Sequence, residues 1–118
     1  RTANGILSNL CVDEAAMARN LAAYGPFAAT ERVLMALVKA GADRQSMHDL
    51  IRAHSLVAWQ ACQAGKENPL ANDLCGDTAL TVYLPEAELR ALMDASSHLG
   101  DAPARARALA DALMQAIK

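Results

Sequence analysis

"PFAATERVLMALVKAG", residues 26–41, decides the fold. Wound as a helix at about 100° per residue, it sets Phe27, Leu34, Leu37 and Val38 on one side. Val33 and Met35 widen that side until little surface is left for water. A helix that is apolar nearly all round is packed on several sides, so this one belongs at the centre of a helical domain. Thr30 and Glu31 fall near the middle of the same stripe. That placement predicts a backbone or arginine partner for each, because buried polar groups are paired. Glu31 also lies in the first turns, where the helix dipole favours a carboxylate.

Working outward, the composition fits an all-α domain. The chain has 118 residues, enough for one modest core. Hydrophobic residues make up 53% but aromatics only 3%, so the core is drawn from Leu, Val, Ile, Met and Ala. With β-branched and aromatic residues scarce, helix is favoured over strand. The net charge of −2, with signs mixed along the chain, gives no electrostatic footing for nucleic acid or an anionic membrane. No apolar run approaches the roughly 20 residues that span a bilayer, and no signal peptide is visible. Cys11, Cys62 and Cys75 form no CxxC pair and no Cys/His cluster, which predicts reduced, buried thiols in a cytosolic protein. The chain opens on Arg1-Thr2-Ala3 rather than Met, which suggests a boundary within a longer protein.

Residues 3–11 read as the end of a helix, with Ile6, Leu7 and Leu10 on one side. Asp13 is an N-cap for a second segment, where Met17 and Leu21 stand four apart. Gly25-Pro26 then breaks the chain. Pro26 opens the next helix at its first position and Gly41 closes it. Asp43 caps a long helix in which Met47, Leu50, Ile51, His54, Ala58, Ala61 and Cys62 recur at three- and four-residue spacing, and Gly65 ends it. Asn68-Pro69 opens a short segment. TALTVYL, residues 78–84, alternates like a strand, but a lone strand has nothing to pair with, so a helical turn is expected. Pro85 opens a helix with Leu89, Leu92 and Met93 inward. Asp101 and Pro103 open the last helix, whose Ala106, Leu109, Ala110, Leu113 and Ile117 form an inward stripe. The sum is six or seven helices.

Chemistry is sparse. His48 and His54 are six apart, roughly 240° around a helix, so they cannot chelate one metal from it. His54 lies in the apolar stripe and reads as a core or boundary packing residue. His98 sits in a Ser-Ser-His-Leu-Gly turn, without a named partner for acid–base work. Asp94, Ser96, Ser97 and His98 are the residue types of a hydrolytic triad, but they are local and lack a G-x-S-x-G elbow; a turn or cap is the expected role. No phosphate loop or dinucleotide fingerprint occurs. Leu56 and Trp59 project away from the main stripe, at about 180° and 120° from Met47. They are either a second contact surface or partly covered by a neighbouring loop.

The run PFAATERVLMALVKAGADRQSMHDLIRAHSLVAW resembles the C-terminal region of adenylosuccinate lyase, in the fumarase/aspartase superfamily. A P-F-x-A-T-E segment opens a helix there. A G-x-x-R-Q-x-x-H-x-x-I-R run follows, here Gly41, Arg44, Gln45, His48, Ile51 and Arg52. YLPEAELRALMDASSHLGDAPARA is similar to the family's closing segment, with Ala95 after Asp94 where Pro is common. The cycloisomerase branch of the superfamily shares that closing segment and stays open as a parent, as does a free-standing helical interaction module binding through Trp59 and Leu56. The resemblance implies a cytoplasmic homotetramer whose active sites form where three subunits meet. It implies elimination of fumarate from adenylosuccinate, giving AMP, and from the succinyl-carboxamide ribotide of purine biosynthesis. No metal or organic cofactor is implied. The acid and base implied are a histidine and the serine of an S-S-x-M-P-x-K-x-N loop. That loop is absent: Ser96-Ser97 is followed by His-Leu-Gly. No catalytic, cofactor-binding or metal-binding residue is therefore assigned, and Glu31, His48 and His98 receive no role. The expected division is residues 1–24 as the tail of a central helix bundle and 25–118 as the C-terminal helical domain, with Pro26–Ala40 as the junction.

Overall fold

Three aspartates mark where helices start. Asp13 Oδ1 accepts from the Ala16 N–H at 2.8 Å, Asp43 Oδ1 from Ser46 at 2.8 Å, and Asp77 Oδ1 from Ala79 at 2.8 Å. The computed structural model describes residues 2–117, and seven α-helices are found there: α1 (Thr2–Ser8), α2 (Glu14–Lys39), α3 (Arg44–Gln63), α4 (Leu70–Gly76), α5 (Thr78–Thr81), α6 (Glu86–Met93) and α7 (Ala102–Ala116). A 3-10 turn, Ala95–His98, joins α6 to α7. No strand occurs among the described residues, and TALTVYL forms a helical turn as expected. Gly41 (φ 99°) and Gly65 (φ 72°) stop α2 and α3. At each, the next amide reaches back five residues: Ala42 N–H to the Leu37 carbonyl and Lys66 N–H to Ala61, both at 3.0 Å.

The core lies between the second half of α2, α3, α4 and α6. Val33 and Leu37 of α2, Leu70 and Leu74 of α4, Leu80 of α5 and Leu89 of α6 are fully buried, joined by Ile51 and Met47 of α3. No polar or charged residue is buried among the described residues. This corrects the placement of Glu31 in a buried stripe. The stripe is narrower than its apolar spacing predicts, and Glu31 and Met35 both face solvent. Cys75 is buried and Cys62 half-buried, but Cys11 is exposed, against expectation, because the whole segment after α1, residues 9–13, is exposed.

Two other expectations are corrected. Gly25-Pro26 does not break the chain: α2 runs through Pro26 without interruption. Proline removes one in-helix hydrogen bond and crowds the preceding turn. The carbonyl left without its in-helix donor is that of Ala22; one residue on, the Asn68 side chain holds the helix from outside, donating to the Ala23 carbonyl at 2.7 Å. The stripe of α7 is not inward. α7 buries none of its residues, and Leu109, Leu113 and Ile117 are more than half exposed. The apolar spacing is there, but no described helix lies against it.

α1 and the first half of α2 likewise stand out from the core, with Ile6, Leu7, Leu10 and Met17 exposed. The molecule is accordingly long, 58 × 33 × 22 Å, with a radius of gyration of 19.2 Å. A compact chain of 100 residues has about 13 Å.

Candidate functional site

Asp43 fixes the first turn of α3. Its Oδ1 accepts from both the backbone N–H and the hydroxyl of Ser46, and these bonds hold the carboxyl below its usual range. From that start Arg44, His48 and Arg52 recur every four residues and share one side of α3. A cleft of about 250 Å³ opens there against α2, lined by Thr30, Glu31, Leu34, His48, Ile51, Arg52 and Ser55. The signature residues quoted from the sequence thus converge across the α2–α3 seam. Arg44 reaches Glu31 at 3.8 Å, with both side chains largely exposed, so the pair adds little stability. Thr30 Oγ1 donates to the Phe27 carbonyl at 2.8 Å. The expected partners of Thr30 and Glu31, backbone and arginine, are those found.

His48 Nδ1 lies 3.6 Å from Asp49 Oδ1 on the surface. His54 points elsewhere: its Nε2 is 2.8 Å from Asp77 Oδ2, and both side chains are mostly covered. That hydrogen bond, then the one from Ala79 N–H, holds the Asp77 carboxyl below its usual range. His54 is therefore a paired boundary residue that ties α3 to the start of α5. Asp77 stands 23 residues from His54, so the pairing leaves no local signal in the sequence.

The Asp-Ala-Ser-Ser-His turn, residues 94–98, is a cap, as expected. Asp94 Oδ1 accepts from Ser96 N–H at 2.9 Å and Ser96 Oγ at 2.6 Å, and these bonds lower its pKa. Ser97 Oγ donates to the Asp94 carbonyl. Both serine hydroxyls are thus spent on the turn. His98 Nε2 is buried and meets no partner in the described chain. Trp59 packs on Phe27 (centroids 5.8 Å, edge-on) and Tyr24 (6.3 Å) and remains half-exposed, with Leu56 beside it half-exposed as well. No group of three His, Cys, Asp or Glu side chains that could hold a metal occurs among the described residues. No described helix is long and apolar enough to cross a membrane.

The geometry defines a class: an all-α domain with a polar seam between two helices and two apolar faces without partners. Residues 26–109 match the family model described as "Adenylosuccinate lyase C-terminus", and the chain belongs to that family. It is 34% identical over 98 residues to adenylosuccinate lyase of Helicobacter pylori strain J99, covering 79% of this chain and 22% of that protein. The Schizosaccharomyces pombe adenylosuccinate lyase is 34% identical over 100 residues (83% and 20%), and that of Saccharomyces cerevisiae 33% over 100 residues (83% and 20%). The chain spans about a fifth of the length of these relatives.

Proposed function

We propose that this chain is the C-terminal part of an adenylosuccinate lyase and is structural rather than catalytic by itself. The observation that carries the reading is the family match over residues 26–109, with relatives of that name covering four-fifths of the chain. On this reading the parent is a carbon–nitrogen lyase. It eliminates fumarate from adenylosuccinate to leave AMP, and from the succinyl-carboxamide ribotide earlier in purine biosynthesis. The purine nucleotide is a substrate of the full-length enzyme only, and the groups that move protons lie outside these 118 residues. The parent is a cytoplasmic homotetramer. Residues 1–24 finish its central bundle and 25–118 form the terminal domain; the start of the family match at Pro26 supports that division. The apolar faces of α1, the first half of α2 and α7 are the surfaces offered to the rest of the subunit and to its neighbours.

Ultraviolet absorbance of adenylosuccinate conversion tests this. The chain alone is expected to release no fumarate, and the intact protein that contains it to release fumarate readily. Turnover by the chain alone near the rate of an intact lyase overturns the non-catalytic reading. An intact protein inactive on both substrates overturns the lyase reading.

A further inference from the structure

The polar side chains of the 94–98 turn are spent on the turn itself, except one. Asp94 Oδ1 takes the Ser96 N–H and hydroxyl, and the Ser97 hydroxyl goes to the Asp94 carbonyl. His98 Nε2 is shut off from solvent and pairs with nothing in the described chain. Leaving a buried nitrogen unpaired costs free energy, and such groups are few in native proteins. Arg32 of α2 lines the same cavity, about 330 Å³, with Ser97, His98 and Gly100. The polar contact Arg32 makes there is long, Nη1 to Ser97 Oγ at 3.5 Å. No described carboxylate pairs with it: neighbouring Glu31 goes to Arg44, and Asp101 to Arg105. Gly100 (φ 56°) turns the chain at the rim with no side chain to block it.

We propose that the cavity between Arg32 and His98 is a binding site for a small oxyanion, a phosphate or a carboxylate. Arg32 supplies a planar fork of donors, and His98 Nε2 supplies another in the tautomer that carries its proton there. Both groups donate, so their complement is an oxygen with spare lone pairs and negative charge. Arg32 is exposed and held at this cavity by one long contact, so it can swing and admit an oxygen to Nε2. The site is independent of the lyase reading, since all its groups lie within this chain. Arg19 and Lys66 line another cleft, of about 570 Å³, with no buried unpaired nitrogen among its described residues. They are the control for loose attraction between anions and surface cations.

Amide chemical shifts of the chain read the outcome, in titrations with inorganic phosphate and with acetate against sodium chloride at matched ionic strength. The oxyanion is expected to shift Arg32 and residues 95–100 along a saturating curve, while Arg19 and Lys66 respond as they do to chloride. Saturation by phosphate, by acetate or by both states which oxyanion the site takes; saturation by neither overturns it. Arg32→Ala, at an exposed position, should weaken binding about tenfold or more, what a hydrogen bond to a charged group is worth. His98→Leu, which removes the unpaired nitrogen, should weaken it as well. Should His98→Leu fail to fold, Arg32→Ala decides alone. Shifts at residues 95–100 that match those at Arg19 and Lys66, or that survive Arg32→Ala undiminished, would overturn the site.

Discussion

α3 and α7 carry apolar residues at the same three- and four-residue spacing, and the molecule treats them oppositely. In α3 the stripe through Met47, Ile51 and Ala58 is buried against α2 and α4. In α7 the stripe through Leu109, Leu113 and Ile117 is bare. Periodicity states that a face is apolar. It does not state where the partner of that face lies. For α3 the partner follows in the same chain: Asn68-Pro69 turns the backbone and α4 returns Leu70 and Leu74 to the seam. For α7 no element of the described chain returns.

The strongest way to sharpen that contrast is to truncate a side chain in the filled region. Leu37 and Leu89 are both fully buried. Leu37→Ala or Leu89→Ala is expected to destabilise the chain by about 2–5 kcal/mol, through lost burial and the cavity left behind. Leu50 of α3 is only half-buried, and Leu50→Ala should cost less, about 1–2 kcal/mol. Urea melts measure both. A Leu89→Ala shift as small as that of a surface substitution would mean α6 is not seated on α2 and α4.

What was legible in the sequence follows the same line. Local signals were read well: the aspartate caps, the terminating glycines Gly41 and Gly65, and the helical turn at residues 78–81 all depend on a few neighbouring residues. Signals that depend on distant chain were not. Pro26 read as a helix start because proline favours the first helical position. α2 continues through it, held from outside at Ala23 by Asn68, which lies 42 residues beyond Pro26. His54 was read as a core or boundary residue, and what the sequence hid was its partner, because Asp77 is equally out of sight. The candidate site was legible in part: the spacing of Arg44, His48 and Arg52 places them on one side of α3, but only the structure shows α2 laying Thr30 and Glu31 along that side.

The His54–Asp77 pair tests how α3 is tied to the rest, with a smaller expected effect. Asp77 has its carboxyl held below the ordinary 3.8, first by the hydrogen bond from His54 and then by Ala79 N–H. A depressed carboxylate pKa adds stability that is fully present above the ordinary value. It is lost as pH falls through the lowered, folded value. Asp77→Asn should therefore cost roughly 1–2 kcal/mol near pH 7 and nothing once the pH is below that folded value. Melts of both proteins at neutral and strongly acidic pH decide it. A difference that persists undiminished in acid would show that Asp77 acts through packing and not through its charge.

The smallest effect is expected where the sequence alone predicts one of the largest. Leu109 sits in the middle of the α7 stripe, and periodicity ranks it with Leu89. In the structure it is 62% exposed. Replacing it by Ala removes little buried surface, and Ala is the better helix former, so the change in this chain should stay within about 0.5 kcal/mol. The same substitution in a longer protein that covers α7 should cost what a buried leucine costs, about 2–5 kcal/mol. Melting Leu109→Ala in both contexts separates two accounts of the bare stripe. A near-zero shift in this chain with a large one in the longer protein means α7 is a docking face filled from outside the 118 residues. Near-zero shifts in both mean the stripe is an exposed surface of no structural consequence. A large shift in this chain alone would mean that α7 folds back onto the core or pairs with a second copy. Sedimentation of the same sample tells those two apart, because only self-pairing makes the measured stability rise with protein concentration.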